Sequence, residues 1–252
     1  MPRPRTVGMT TIAVLADPPR PGTALSDLVE RSPLSAEDAA SLYTALLRDT
    51  VLAVERSGGE LLVNYRPAEA LGLDLDSEAA LRSVLAGVID DDARFEVQVG
   101  ETFSGRAGNT AAHLLESEGV GSVGIARPEA ALLARTDIDS AAMKLRSSPV
   151  VLGPAPNGHV TYAAFAAPID YADAYAPPAV GTLTDRAMDA GLDVEFLETK
   201  PYLRTPTDLA MILHEVRTRR TAEALVPPHL SEWVAACDLT VSADAEGLSL
   251  DR

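Results

Sequence analysis

Three arginines are the residues of this sequence best suited to hold a charged ligand. Arg106, Arg127 and Arg204 each fall in a segment that we expect at the ligand-binding edge of the fold. A guanidinium can bind an anion such as phosphate through two parallel hydrogen bonds, without a metal ion. We therefore consider them as phosphate contacts. The alternative, that they only balance an acidic surface, stays open on the sequence alone.

A second candidate is the loop in the stretch VVLGPAPNGHV (150–160). An apolar run ends at Gly153 and Pro154, turn residues follow, and a second strand-like run begins after Gly158. Such a loop brings bare backbone close to a ligand, and we expect Gly153, Pro154, Asn157 and Gly158 to shape it. His159 comes directly after it, either as a ligand contact or as a structural residue.

Alternating strand and helix patterns must position these residues. The hydrophobic patterns predict strands at 11–16, 60–65, 95–100, 122–126, 149–153, 159–166 and 192–198. They predict helices from Ser35 to Gly58, over 76–88 and 104–118, from Pro128, over 179–191, and from Thr205.

This alternation predicts an α/β fold, a three-layer α/β/α sandwich with a mostly parallel mixed sheet. We expect one domain over residues 1–220, followed at 221–252 by a helical extension and a loose acidic tail. Ligands of such sheets bind beyond the carboxyl ends of the strands. The segments 17–24, 101–106, 126–128 and 153–158 are therefore the ones expected to meet at a site.

Composition excludes several classes of protein and site. No apolar stretch is long enough to predict a membrane span. The single cysteine, Cys237, excludes an internal disulfide framework and a cysteine-based zinc site, and the four histidines have no metal-binding spacing. A net charge of −16 disfavours nucleic acid as a partner. Only two of 21 basic residues are lysines, which suggests a halophilic cytoplasmic protein; an ordinary acidic one is the alternative.

Two short motifs have structural explanations. The stretch GVGSVG (119–124) matches a dinucleotide-binding pattern, but it lies between a predicted helix and a strand, the reverse of the order that the function requires. The run Asp90–Asp92 precedes a strand and is typical of a solvated turn. No phosphate-binding P-loop pattern and no nucleophile-elbow pattern occur.

Five segments in order resemble the glycosyltransferase-A superfamily of nucleotide-diphosphosugar transferases, in its radical-SAM/selenodomain-associated branch. They are PPRPG (18–22), LSAEDAASLYTALLRDT (34–50), QVGETFSGR (98–106), VVLGPAPNGHV (150–160) and RTPTDL (204–209). The resemblance implies a nucleotide or nucleotide-sugar partner, with Pro21 and Gly22 also at the substrate site. It leaves the oligomeric state undetermined.

The sequence departs from that family where its metal and phosphate ligands are expected. Ala126 and Asn157 stand where the family has aspartates, His159 replaces a glycine, and TALSDL (23–28) lacks the usual basic residues. Near the end, Tyr202 to Thr205 replace an Asp-x-Asp-Thr motif. Because hard cations prefer carboxylate ligands, Mg²⁺ or Mn²⁺ as cofactor is doubtful, and we assign no metal ligands and no catalytic residue.

Two functions remain open. One is a glycosyl- or nucleotidyltransferase with an altered, metal-poor site, for example a guanylyltransferase acting on a phosphorylated small acid. The other is a non-catalytic homologue that binds a nucleotide or a protein partner.

Overall fold

The computed structural model describes residues 9–245 and 247–252. Its strands are β1 (Thr10–Ala16), β2 (Glu60–Tyr65), β3 (Arg94–Val97), β4 (Ser122–Ala126), β5 (Val150–Pro154), β6 (Val160–Phe165), β7 (Val194–Phe196), β8 (Thr240–Asp244) and β9 (Gly247–Asp251). Its α-helices are α1 (Ser26–Val29), α2 (Ala36–Glu55), α3 (Ser77–Leu85), α4 (Phe103–Ala112), α5 (Arg135–Lys144), α6 (Ala179–Asp189), α7 (Pro206–Thr221) and α8 (Pro228–Ala236).

A seven-stranded mixed sheet forms the middle layer, in the order β3-β2-β1-β4-β6-β5-β7. Only β6 runs antiparallel to its neighbours β4 and β5. One face packs on α2, α3 and α5 around Ile12 and Val14, and the other on α4 and α6 around Ala13 and Leu15. The predicted three-layer fold with a mostly parallel mixed sheet is confirmed.

The long helix α2 is buried on two sides. Ser35 caps it in a reciprocal capping box with Asp38, as predicted. One side faces the sheet through Leu47 and Val51, and the other packs in a third apolar cluster with α7 and α8. This sandwiching places Tyr43 of α2 against the end of β1, where its hydroxyl accepts a hydrogen bond from the Asp17 N–H at 3.0 Å.

Two predicted elements differ from the structure between residues 95 and 134. The strand predicted for 95–100 ends at Val97, because Gly100 turns the chain at φ 131° into α4; a Cβ there would lie 2.9 Å from the Arg106 amide nitrogen. The helix predicted from Pro128 is wrong: 127–134 is a loop, held by a bond from Leu203 N–H to the Glu129 carbonyl at 2.8 Å. The next helix starts only at Arg135.

Further along the chain, the predicted helix at 104–118 is divided between α4 and a π-helical turn, His113–Ser117. The strand predicted for 192–198 is only three residues long. Beyond β7 the chain stays beside β5 through individual backbone hydrogen bonds. One of them joins the Lys200 N–H to the Pro154 carbonyl at 3.1 Å. The last predicted helix begins as expected, with Thr205 as N-cap and Asp208 in the capping box.

The C-terminal residues form a folded unit on the helical side. Leu230 and Val234 of α8 are buried against α2 and α7. The tail was predicted to be loose, and this is wrong: β8 and β9 form an antiparallel hairpin whose Val241 and Leu250 pack on the same cluster. The proposed domain boundary at residue 220 stays a prediction, and α7 runs across it. Among the described residues, no helix has the length and apolar character needed to cross a membrane.

Candidate functional site

Three parallel strands deliver charged residues to one edge of the sheet. Ala16 of β1 is paired with Tyr65 of β2, so Asp17 and Arg66 leave their strands side by side. Val14 of β1 is paired with Ala126 of β4, so Arg127 emerges at the same edge. This is the edge where ligands bind in open α/β sheets.

Asp17 and Arg66 form a two-point ion pair. The Arg66 Nε donates to Asp17 Oδ1 at 2.7 Å, and Nη2 donates to Oδ2. This pairing holds the pKa of Arg66 above its usual value. Burial, together with the charge of Asp17, raises the pKa of the Tyr43 phenol well above its usual value, so Tyr43 stays neutral. The carboxylate of Asp17 is thus used to orient a guanidinium.

Arg127 is stacked between aromatic rings. Its guanidinium carbon lies 4.1 Å from the centroid of the Phe103 ring and 5.8 Å from that of Tyr202, and its Nη2 donates to Glu129 Oε1 at 2.7 Å. Burial alone would lower the pKa of Arg127, but the charge and hydrogen bond of Glu129, together with Tyr202 and Tyr43, outweigh it, and the pKa lies above the usual value. The side chain still exposes 29% of its surface.

That exposed part faces a cavity of about 250 Å³, which we call the arginine cavity. Its charged and phenolic lining comprises Asp17, Asp27, Tyr43, Arg66, Arg127, Glu129, Tyr202 and Arg204. Arg204 enters from the start of α7, is half exposed, and lies 3.6 Å from Asp27. The Asp208 carboxylate accepts the backbone N–H groups of Arg204 and Thr205 at 3.1 and 2.8 Å, which fixes the backbone that carries Arg204.

The structure brings only some of the predicted site residues together. Arg127 and Arg204 line the arginine cavity, whereas the loop that carries Pro21 and Gly22 contributes its next residues, Thr23 and Ala24. Arg106 lies at the first turn of α4, near enough to Arg66 and Arg127 to interact electrostatically.

The predicted donor loop is shaped mainly by packing. Gly153 is buried in β5, and a Cβ there would lie 2.7 Å from Thr161 Oγ1. Asn157 is exposed and has a φ of 60°. Gly158 has a φ of 76° and no room for a Cβ, because a Cβ there would lie 2.8 Å from the Pro178 Cβ. The arginine cavity is lined by none of the four residues of this loop, Gly153, Pro154, Asn157 and Gly158.

His159 is the residue of this region that reaches the site. Its ring stacks on Tyr202 at 4.9 Å between centroids and 19° between planes. Burial and the charge of Arg204 lower the pKa of His159, which favours the neutral imidazole. His159 therefore supports the ring that faces Arg127.

Sequence reasoning did not assign to the site six of the eight charged and phenolic residues that line the cavity: Asp17, Asp27, Tyr43, Arg66, Glu129 and Tyr202. Asp17 lies in the segment 17–24 that was expected at the site but was not singled out, and Arg66 also directly follows a predicted strand, so the rule that selected Arg127 applies to both. Tyr43 and Glu129 carry no such signal. Tyr43 lies on a helix, and Glu129 falls in the segment that was predicted to be helical.

The side chains at this edge do not fit a divalent cation. Asp17 and Glu129 each bond to a guanidinium, and Ala126, where the resemblance has an aspartate, is fully buried in the core. Within the described part of the chain, one group of side chains, Glu96, His113 and Glu118, is close enough to share a cation. None of the three lines the arginine cavity, and Arg94 already pairs with both glutamates.

Comparison with solved structures identifies the fold. A protein from Desulfovibrio desulfuricans G20, provisionally named a nucleotide-diphospho-sugar transferase, superimposes with a TM-score of 0.72 at 17% identity, over 90% of this chain and 96% of the other. The chain has the nucleotide-diphosphosugar transferase fold. The 4-diphosphocytidyl-2C-methyl-D-erythritol synthase of Anaerococcus prevotii DSM 20548 shares this fold at a TM-score of 0.51 and 14% identity, over 83% of this chain and 97% of that one.

Comparison of the amino-acid sequence with family models and with curated proteins finds no match. At such low identity, the structural similarity establishes the nucleotide-diphosphosugar transferase fold and leaves the activity to be argued from the residues. The predicted radical-SAM/selenodomain-associated branch stays a prediction.

Proposed function

We propose that this protein is a glycosyl- or nucleotidyltransferase that binds the phosphates of a nucleotide-activated donor in the arginine cavity. The observation that carries the proposal is the position of Arg127. Its partly exposed side chain lines a cavity shared with Arg66 and Arg204, at the ligand-binding edge of a nucleotide-diphosphosugar transferase fold.

The hydrogen bonds of the arginines leave donor groups for a ligand. Among the described residues, Arg66 binds Asp17 through Nε and Nη2, and Arg127 binds Glu129 through Nη2. Three guanidinium nitrogens have no hydrogen-bond partner among the same described residues: Nη1 of Arg66, and Nη1 and Nε of Arg127. The carboxylates therefore orient the two guanidinium groups and leave N–H groups free to bind phosphate oxygens.

The size of the cavity indicates which part of the donor it holds. Sites for whole small molecules usually measure about 300–1,000 Å³. At about 250 Å³, this cavity suits the phosphates and leaves the base and the transferred group beyond the edge of the sheet. Guanidinium groups, and not Mg²⁺ or Mn²⁺, would neutralise the phosphates.

The second candidate is a non-catalytic homologue that binds a nucleotide or a protein partner. It is favoured by one observation: each of the three carboxylates in the cavity, Asp17, Asp27 and Glu129, faces an arginine. A carboxylate held in this way is a poor general base, because the adjacent positive charge stabilises its ionised form.

A thermal-shift screen in concentrated KCl tests the proposal. GTP, UTP, CTP, ATP and UDP- and GDP-sugars are added with Mg²⁺ or with EDTA. We expect one class of nucleotide to raise the melting temperature in EDTA, and Arg204→Ala to remove the shift. Arg135→Ala is the control, since Arg135 is exposed and, among the described residues, pairs only with Asp139 one helical turn away.

The same screen can reject each part of the proposal. No response to any nucleotide would eliminate the transferase, and stabilisation only with Mg²⁺ would eliminate the metal-free site. If a nucleotide sugar binds but releases neither its sugar nor a nucleotide product with any acceptor, the non-catalytic candidate is preferred.

A further inference from the structure

Among the described residues, Arg106 forms no ion pair with a carboxylate. Its Nη1 donates to the backbone carbonyl of Glu101 at 2.7 Å, and its buried Nε has no hydrogen-bond partner among the described residues. Arg66, Arg127 and Arg204 each pair with an acidic side chain, and Arg106 pairs with none in that part of the chain. A buried donor left without a partner is rare, and an absent ion or ligand is a common reason.

The surroundings of Arg106 are positively charged. Its guanidinium carbon lies 6.0 Å from the centroid of the Phe103 ring, the same ring that stacks on Arg127. Burial and the charge of Arg66 lower the pKa of Arg106, because Asp17 compensates only part of the local positive charge. Arg106 also lies in the first turn of α4, where the positive end of the helix dipole favours an anion.

Arg106 and the arginine cavity are positioned by helices that pack on opposite faces of the sheet. The cavity is lined by Tyr43 of α2 and by residues before and within α1, on the α2 face of the sheet. Arg106 belongs to α4, which packs on the other face, and neither it nor Phe103 lines the cavity. A ligand group beside Arg106 would therefore be a second group and not the one held in the cavity.

We propose that Arg106 binds a second anionic group, a phosphate or carboxylate of the acceptor substrate, on the α4 side of Arg127. This inference rests on the proposed transferase function and specifies its acceptor as an anion. Arg127 lines the cavity and stacks on Phe103 of α4, so the positive charge that binds the donor phosphates also faces the acceptor.

Isothermal titration with inorganic phosphate at low ionic strength tests the second site without a nucleotide. We expect two phosphate ions to bind the wild-type protein. Arg106→Met, which keeps the apolar stem, should weaken one of them by about 10-fold or more, and Arg204→Ala the other, since each removes a charge-assisted hydrogen bond. Arg135→Ala should change neither, and malonate in place of phosphate shows whether a carboxylate is preferred.

A stability measurement separates a binding role from a structural one. In ligand-free protein, Arg106→Met removes an unpaired buried donor and a like-charge repulsion, so the melting temperature should rise by about 2–4 °C. A structural arginine would lower it. Two-site phosphate binding that is unchanged in Arg106→Met, or no phosphate binding at all, would overturn the inference. Absence of nucleotide binding with the Arg106 site intact would overturn only the proposed function.

Discussion

Asp17 and Arg66 form their ion pair across the ends of two adjacent parallel strands, with Nε and Oδ1 2.7 Å apart. Each residue follows directly after a strand, and the strand ends are in register, so the sheet itself fixes the contact. The resemblance to nucleotide-diphosphosugar transferases implied metal-binding carboxylates near this edge. The Asp17 carboxylate orients a guanidinium here, and under the proposed function guanidinium groups would neutralise the phosphate charge.

Replacing Arg127 by lysine should weaken nucleotide binding by about 10-fold or more. A lysine keeps the charge, but it cannot stack on Phe103, bond to Glu129 and still donate to two phosphate oxygens. Isothermal titration with the nucleotide found in the screen measures the effect, with Arg135→Lys as the control. Wild-type affinity in Arg127→Lys would show that the cavity does not bind the phosphates.

Replacing the N-cap Thr205 by alanine should lower the melting temperature by about 2–4 °C, which corresponds to about 1 kcal/mol. The Thr205 hydroxyl oxygen accepts the Asp208 N–H at 3.2 Å and donates to the Asp208 carboxylate at 2.8 Å. Thr205→Ser keeps both bonds and should retain the stability. Thr221→Ala, at the exposed end of α7, is the matched control. Equal melting temperatures for Thr205→Ala and wild type would contradict this role of the cap.

The caps of α2 and α7 could be predicted from sequence because they depend on residues three positions apart. Ser35 with Asp38 and Thr205 with Asp208 both form the expected capping boxes. The loop at 127–134 could not be predicted, because the backbone hydrogen bond that holds it comes from Leu203, far along the chain. Local helix signals at Pro128 were outweighed by this tertiary contact.

The candidate site also has features that could be predicted from sequence and features that could not. Arg127 and Arg204 were found because strand ends and helix starts lie at a known edge of the fold. The shape of the loop at 153–158 was predicted, but its cause was not. Gly158 is required by Pro178, a contact that no local pattern indicates.

Asp49 should make the protein less stable as the pH rises from about 4 to 6. This buried α2 carboxylate accepts the backbone N–H groups of His229 and Leu230 at 3.0 and 2.7 Å, and burial raises its pKa to about 6. The folded state then binds more protons than the unfolded state below pH 6, so stability is present at low pH and is lost as Asp49 ionises.

Urea unfolding of wild type and Asp49→Asn between pH 4.5 and 8 checks this prediction. A shift of about two pKa units corresponds to about 3 kcal/mol at most. The difference between the two proteins removes the effect of other titrating groups, and it should change by about 1–3 kcal/mol across this range in the stated direction. A difference independent of pH would mean that Asp49 ionises at its ordinary value.

Concentrated KCl should stabilise the protein, because its net charge of −16 makes the folded surface repel itself. The Debye length falls from about 10 Å at 0.1 M to about 3 Å at 1 M, which screens that repulsion. Calorimetric melting from 0.1 to 2 M KCl should show a rising melting temperature. Asp90, Asp91 and Asp92 lie exposed around a turn, so their joint replacement by asparagine should reduce the response to salt. A melting temperature that falls with KCl would mean that the ion pairs outweigh the surface repulsion.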